Sequence, residues 1–279
     1  VNNMGSCFGS TGPKSLNPAT GHPWGAEFPL VTVEDWVDAQ ARLADHFGIE
    51  RFAAVMGGSL GGMQALQWSI RYPQRLAHCV AIATAPNLSA QNIAFSAVAR
   101  EAIMRDPDFQ GGDYYDTGRA PDTGLTIARM MAHITYLSEA AMRDKFGRRL
   151  QHGEEPRFAF DVDFQVESYL RHQGSTFVDR FDANSYLYIT RAMDTFDLSQ
   201  RGALHTLFEG ASTRFLVISF TSDWLYPSYQ SLEIVKALRV LNRDVAYVNL
   251  EATYGHDTFL VEVKEQTELI KGFLESCRG

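Results

Sequence analysis

Hydrophobic and polar positions alternate between two periods along this chain, and the switches between them outline an α/β protein. Short apolar runs of strand length occur at Phe52 to Met56, His78 to Thr84, Arg214 to Phe220 and Asp244 to Leu250. Between and beside them the period lengthens to that of a helix. Thr32 can cap a first helix with Asp35 three residues on, and Val33, Trp36, Val37, Leu43 and Phe47 give it a face expected to pack on a sheet before Gly48 ends it. Met63 to Arg71 continues as a helix that stops near Pro73, Gln230 to Leu241 forms another, and a last one is expected from about Thr258 to Glu275. The alternation lapses between Asn87 and about Gly210, where the text is helical and loop-like, with amphipathic stretches at Gln91 to Met104, Gly124 to Leu137 and Ala183 to Met193. The pattern therefore predicts a core of residues 1–86 and 211–279 around an inserted helical lid, 87–210. No internal repeat or low-complexity tract interrupts it.

The most informative short motif is Gly57-Gly58-Ser59-Leu60-Gly61, set between the first strand and the helix that follows. A serine between glycines on a sharp strand-to-helix turn is the nucleophile elbow of the α/β-hydrolase fold, a mostly parallel sheet flanked by helices. Glycines permit such a turn because they let neighbouring backbone approach closely. The plain alternative is an ordinary strand-to-helix turn. A serine nucleophile needs a base, and in this fold the acid follows a later strand and the histidine lies beyond the last one. Asp223 follows the run Phe215 to Phe220, and His256 follows the strand ending at Leu250. The other histidines, His22, His46, His78, His133, His152, His172 and His205, all precede the acid, which leaves His256 as the base by position. Asp257 is the rival acid, but its adjacency to His256 places it poorly for orienting that ring. In this arrangement the Leu60 amide supplies one oxyanion donor, and the second comes from a loop after an earlier strand.

Composition narrows the class further. The chain has 279 residues, 45% of them hydrophobic and 21% charged, and no stretch has the length or uniform apolarity of a membrane span. A net charge of −8 without a concentrated basic run disfavours a nucleic-acid partner. Cys7, Cys79 and Cys277 are odd in number and widely spaced, unlike zinc sites or disulfide frameworks, which points to a reducing, cytoplasmic setting with each cysteine a small buried filler. The chain opens at Val1 with a loop rich in Gly, Ser and Pro, and about fifty residues precede the elbow where this fold normally places several strands. Strands upstream of Val1 are thus expected, and this chain alone is expected to be inactive for want of the second oxyanion donor.

Four segments together resemble the homoserine O-acyltransferases. Val1-Asn2-Asn3-Met4-Gly5-Ser6-Cys7-Phe8-Gly9-Ser10-Thr11-Gly12-Pro13 reads as that family's segment before the elbow apart from Met4, Gly57 to Gln64 matches its elbow, Ser89 to Phe95 a segment after it, and Gly255-His256-Asp257 its histidine loop. The resemblance spans essentially the whole chain. It implies that an acyl-CoA acylates Ser59 and that the acyl group then passes to the hydroxyl of L-homoserine, in methionine biosynthesis, with Asp223 and His256 as the relay. It implies no cofactor, since acyl-CoA is a substrate, and a homodimer in the cytoplasm. It also assigns Arg129 to the amino-acid carboxylate, Tyr136 to the same substrate and Asp257 to its ammonium group; on the residues alone these three read as a surface charge, core packing and a solvated acid. The missing upstream part would include a His-Ala-Leu-type loop carrying the other oxyanion amide. Succinyl-using members resembling this chain tend to carry arginine two residues after the triad acid, where Leu225 stands here. Burying the distal carboxylate without a partner costs several kcal/mol. Leu225 therefore favours acetyl-CoA, and homoserine O-succinyltransferase activity is the alternative. A serine esterase using the same triad is a further one, and a non-catalytic binding module a third.

Overall fold

The computed structural model describes Met4 and residues 10–157, 159–200 and 202–276. Cys7, Cys277 and most of the Val1 to Gly9 segment lie outside the described residues. Four strands, β1 (Phe52–Gly58), β2 (Leu76–Ile82), β3 (Arg214–Phe220) and β4 (Val245–Leu250), form a parallel sheet in the order β1-β2-β3-β4. The register pairs Phe52 with Leu76, His78 with Arg214 and Phe215 with Val245. Parallel strands need helical crossovers and are covered on both faces, so their sequences read as apolar runs. In β3 every residue from Phe215 to Phe220 is buried accordingly.

The helices are α1 (Val33–His46), α2 (Leu60–Arg71), α3 (Ala90–Met104), α4 (Asp122–Tyr136), α5 (Glu139–Lys145), α6 (Gln165–Val178), α7 (Ala183–Thr195), α8 (Ser228–Val240), α9 (Thr258–Val261) and α10 (Val263–Glu275). None is long and apolar enough to cross a membrane. The chain divides into two compact units: one comprises the described residues up to Val31 with Ser89–Thr135 and Glu139–Ala192, the other Thr32–Leu88, Tyr136–Ser138 and the described residues from Met193 onward.

The sheet unit holds β1 to β4 with α1, α2, α8, α9 and α10. Thr32 closes a capping box on α1, its hydroxyl accepting from Asp35 N–H at 3.2 Å while its own N–H donates to Asp35 Oδ2 at 2.8 Å. Val33, Trp36, Val37, Ala41 and Ala44 form the buried stripe of α1. Leu43 and Phe47, expected on that face, are 41% and 67% exposed, while Ala41 and Ala44 are buried in their place. Trp68 Nε1 of α2 donates to Gln40 Oε1 of α1 at 2.7 Å. Val80, Ile82, Leu216, Ile218, Phe220 and Leu250 make the core of the sheet, closed by Phe259, Leu269, Ile270 and Phe273. The single helix expected at the C-terminal end is instead α9 and α10, broken at Glu262, whose φ of −103° and ψ of 62° lie outside the helical region.

The helical unit packs α3, α4, α6 and α7 around Ala99, Ile103, Leu125, Ala128 and Phe177. Its closest crossing is made by Gly124, where a Cβ would lie 2.4 Å from the Ala102 carbonyl oxygen. Asp182 ties the unit together, accepting from Tyr114 Oη at 2.6 Å, Tyr115 Oη at 3.0 Å and the Ser185 N–H at 2.8 Å.

The observed units cut the chain differently from the expected insertion of 87–210. Residues up to Val31 join the helical unit, because Ser185 Oγ donates to the Met4 carbonyl at 2.8 Å and Tyr188 Oη to the Phe28 carbonyl at 2.5 Å. Residues from Met193 join the sheet unit, because Leu198 N–H donates to the Pro86 carbonyl at 2.9 Å and the Phe208 ring meets Phe215 edge-on. Tyr136–Ser138 belongs there too, since Ser138 N–H donates to the Tyr254 carbonyl at 3.1 Å.

Candidate active site

The turn from β1 into α2 is tight, and its glycines explain how. A Cβ on Gly57 would sit 2.3 Å from the backbone carbon of Gly61, and one on Gly62 would meet Thr84 at 2.6 Å. At Gly61 itself a Cβ would meet nothing within 4 Å, so this glycine matters because its backbone lies against Gly57. Ser59, at the apex, has φ 55° and ψ −122°, which a residue with a Cβ adopts only under constraint. The constraint is a set of hydrogen bonds. Ser59 N–H donates to the Ile82 carbonyl at 2.9 Å, and the Ser59 carbonyl accepts from Gly62 N–H and from Thr84 Oγ1, both at 2.9 Å. Leu60 is the first residue of α2, so its N–H belongs to the first-turn donors that have no acceptor within a helix, at the end where the helix dipole favours negative charge.

The loop after β3 carries Asp223, only 4% exposed. One carboxylate oxygen, Oδ1, accepts from the N–H groups of Leu225 at 3.0 Å and Tyr226 at 2.8 Å; the other, Oδ2, stands 2.8 Å from His256 Nδ1. His256, also 4% exposed, is held between the rings of Tyr226, with centroids 5.0 Å apart, and Phe259, at 5.4 Å. Phe259 also fills the space beside Gly58, where a Cβ would come within 2.5 Å of its ring. One aromatic side chain thus borders both the elbow strand and the candidate base.

The His256 loop rests on Tyr136–Ser138. Gly255 has φ +100°, and a Cβ there would lie 2.4 Å from Ser138 N. Gly255 N–H donates to Ser222 Oγ at 2.9 Å, and Asp257 N–H donates to the Tyr136 carbonyl at 3.1 Å. It is Asp223, not Asp257, that meets His256 Nδ1. The Tyr136 ring also lies 6.3 Å from the His256 ring, centroid to centroid.

Arg129 belongs to the helical unit and is half-buried on α4, with its guanidinium 4.5 Å above the Phe177 ring centroid, so it is more than a surface charge. Near it His133, on the same helix, is pushed down to about 4 by burial and by the charges of Arg129, Lys145 and Arg180, and its Nδ1 lies 3.0 Å from Tyr169 Oη. Leu225 is half-buried and its N–H is committed to Asp223. Cys79 is buried on β2, where desolvation pushes its thiol up to about 12. Sequence reasoning passed over Tyr226 and Phe259, because an aromatic beside an apolar run reads as core; only their spacing from Asp223 and His256 could have marked them.

A serine on a strained strand-to-helix turn and a buried histidine 2.8 Å from an aspartate, all on a parallel sheet, are the features of the α/β-hydrolase class. The profile of the alpha/beta hydrolase fold matches residues 1–263. The chain is 57% identical to the homoserine O-succinyltransferase of Bordetella petrii over 280 residues, covering 99% of this chain and 66% of that protein. It is 58% identical to the homoserine O-succinyltransferase of Burkholderia thailandensis over 281 residues, covering 99% of this chain and 74% of that protein. Among solved structures, a homoserine O-acetyltransferase from Bacillus anthracis superposes with a TM-score of 0.85 at 28% identity, over 92% of this chain and 69% of that one. Esterase E22 gives 0.86 at 29% identity, over 95% and 72%. The chain belongs to the homoserine O-acyltransferase family. It spans just under two thirds of the length of the Bordetella relative and about three quarters of the Burkholderia one.

Proposed function

We propose that this chain carries the acyl-transfer centre of a homoserine O-acyltransferase, with Ser59 as nucleophile, His256 as base and Asp223 as the group that orients it. The observation that carries this reading is the buried His256–Asp223 contact at 2.8 Å in the same unit as the strained Ser59. His256 Nε2 takes the Ser59 proton as Oγ attacks the thioester carbonyl of an acyl-CoA. The Leu60 N–H faces the resulting oxyanion, and such a donor is worth about 3 kcal/mol or more. The C–S bond then breaks, and the CoA sulfur leaves with the proton from His256. In the second half, the homoserine hydroxyl gives its proton to His256 and attacks the Ser59 ester. Oγ leaves, regains the proton, and O-acylhomoserine is released, with no net change of oxidation state. The resemblance adds Arg129 for the amino-acid carboxylate, a task suited to a guanidinium, Tyr136 for the same substrate and Asp257 for its ammonium group. A homodimer, a cytoplasmic setting and the absence of a cofactor are further parts of this proposal.

For the acyl donor, relatives at 57% and 58% identity are named homoserine O-succinyltransferases, whereas the neighbour named an acetyltransferase is 28% identical. This supports succinyl-CoA over the acetyl-CoA that Leu225 by itself favoured. A single half-buried leucine removes one candidate cation and leaves the distal carboxylate to be met by another. The deciding experiment follows CoA release by the full-length protein with homoserine, offering the two thioesters separately. Faster release with succinyl-CoA is expected; faster release with acetyl-CoA would return the argument to Leu225, and Leu225→Arg should then raise the succinyl-to-acetyl ratio.

The likeness to esterase E22 supports hydrolysis as a second reading. Rapid p-nitrophenyl acetate hydrolysis unaffected by homoserine, with no acyl transfer, would establish it in place of the first.

A further inference from the structure

Ser59 is held at both ends of its backbone by one short segment. Its N–H donates to the Ile82 carbonyl at 2.9 Å, and its carbonyl accepts from Thr84 Oγ1 at 2.9 Å. Ala83, between the two, has φ 46°, so a second residue with a Cβ lies in the left-handed region, and this turn after β2 brings the Ile82 carbonyl and the Thr84 hydroxyl to the same serine. Gly62 makes room for the contact, since a Cβ there would lie 2.6 Å from the Thr84 Cβ. The segment is anchored from outside as well. Ala83 N–H donates to the Ile218 carbonyl of β3 at 2.8 Å, and Ser231 Oγ of α8 donates to the Thr84 carbonyl at 3.1 Å.

The Thr84 hydroxyl is not needed to satisfy the Ser59 carbonyl. That oxygen accepts from Gly62 N–H at 2.9 Å and Met63 N–H at 3.2 Å, the donors that α2 supplies by itself. Thr84 is 1% exposed, and valine would fill nearly the same space without desolvating a polar atom, so what the further donor adds is a restraint from outside the helix. The Ser59 carbonyl belongs to the same peptide group as the Leu60 N–H. That group is planar and trans, so its C=O and N–H point in opposite directions and turn together. A tilt that moves the carbonyl off Thr84 Oγ1 swings the Leu60 N–H through the same angle, and a hydrogen bond weakens steeply once it is bent.

We propose that Thr84 is a positioning residue for the oxyanion donor: its hydroxyl holds the Ser59 carbonyl and, through the rigid peptide plane, fixes the direction of the Leu60 N–H. Ser231 extends the restraint to α8, the helix that follows the Asp223 loop, so the nucleophile turn is registered with the acid from behind. The inference rests on Ser59 being the nucleophile and the Leu60 N–H an oxyanion donor.

The test offers the full-length protein p-nitrophenyl acetate and p-nitrophenyl thionoacetate, in which sulfur, a weak hydrogen-bond acceptor, replaces the carbonyl oxygen. The first release of p-nitrophenolate reads acylation of Ser59 on each ester. Labelling of the wild type by a fluorophosphonate probe, and not of Ser59→Ala, fixes the nucleophile, and a wild type faster on the oxygen ester shows a working oxyanion donor. Thr84→Ser keeps the hydroxyl and Thr84→Ala removes it. Thr84→Ala is expected to lower the oxygen-ester rate by about tenfold, the loss of one hydrogen bond, and the thiono rate by less than about threefold, with Thr84→Ser within about threefold of the wild type on both. Thr84→Val, which keeps the branched shape, repeats the measurement if the alanine variant does not fold. An unimpaired Thr84→Ala, an equal fall on both esters, or a Thr84→Ser as slow as Thr84→Ala would each overturn the proposal. A wild type that is not labelled, or that does not favour the oxygen ester, would overturn the reading of Ser59 or of Leu60 along with it, whereas a labelled wild type with that preference and an unimpaired Thr84→Ala removes this proposal alone.

Discussion

The indole Nε1 of Trp224 donates to the carbonyl of Leu137 at 2.8 Å, fastening the loop that carries Asp223 to the segment on which the His256 loop rests. Acid and base are therefore registered through a third piece of backbone as well as through their own hydrogen bond. Trp224→Phe removes the donor and leaves a carbonyl in a buried place, at a cost of about 1–3 kcal/mol. We expect thermal unfolding several degrees lower, and a fall in the Ser59 labelling rate larger than that of a surface variant matched for stability; an unchanged melting temperature would show that the bond contributes nothing.

Gly255 is the other half of this registration. With φ +100° and only 2.4 Å between an added Cβ and Ser138 N, alanine strains the backbone and clashes with atoms that cannot rotate away. Gly255→Ala should cost about 2–4 kcal/mol and displace His256 from Asp223. Chemical denaturation measures the first; loss of the downfield His256 Nδ1 proton resonance reports the second.

Asp223→Asn has a geometric outcome. Two backbone N–H groups point at Oδ1, so the asparagine must place its carbonyl oxygen there and turn its NH2 group toward His256 Nδ1. A donor facing Nδ1 forces the ring proton onto Nε2, which then cannot accept the serine proton. If Asp223 is the acid of the proposed centre, turnover should fall by about 10⁴-fold with stability little changed, as when the carboxylate of an established serine triad is replaced. Retained activity in steady-state assays would transfer the role of acid to Asp257.

His133 makes stability depend on pH. Its folded value of about 4 lies below the ordinary 6.5, so between these limits the unfolded chain binds a proton that the folded one does not. The contribution is complete above pH 6.5 and is lost as pH falls toward 4, by about 3 kcal/mol at most. Urea midpoints from pH 7 to pH 4 should fall less steeply in His133→Gln than in the wild type, and parallel slopes would rule the histidine out.

Much of the sheet was legible because a parallel strand buried on both faces is mostly apolar, as Phe215 to Phe220 is with Ser219 its one polar residue. The elbow was legible because the turn tolerates only glycine at Gly57, and the order of Ser59, Asp223 and His256 follows the chain order of the fold. Periodicity failed where small residues are the buried ones: Ala41 and Ala44 took the buried side of α1 and left Leu43 and Phe47 outside. It also missed the break at Glu262, which no glycine or proline announces, and the helix α6, whose face mixes polar and apolar residues. The unit boundaries escaped because they depend on hydrogen bonds between distant residues, such as Tyr188 with Phe28. The acyl donor was the least legible part: Leu225 alone favoured acetyl-CoA, whereas relatives at 57% and 58% identity are named homoserine O-succinyltransferases.

The pairing of β2 with β3, at the middle of the sheet, joins His78 to Arg214 across a very long stretch of chain. The entropy of closing such a loop grows only with the logarithm of its length, so the cost to stability is about 0.6 kcal/mol per doubling, but non-local pairing of this kind slows folding steeply. The β1-α2-β2 segment is local and can form early, yet it leaves one side of β2 open until the intervening residues have been ordered. During synthesis that exposed strand waits for more than a hundred further residues to emerge, on the order of ten seconds at about 5–20 residues per second, which makes it the place where chaperone binding or self-association competes with folding.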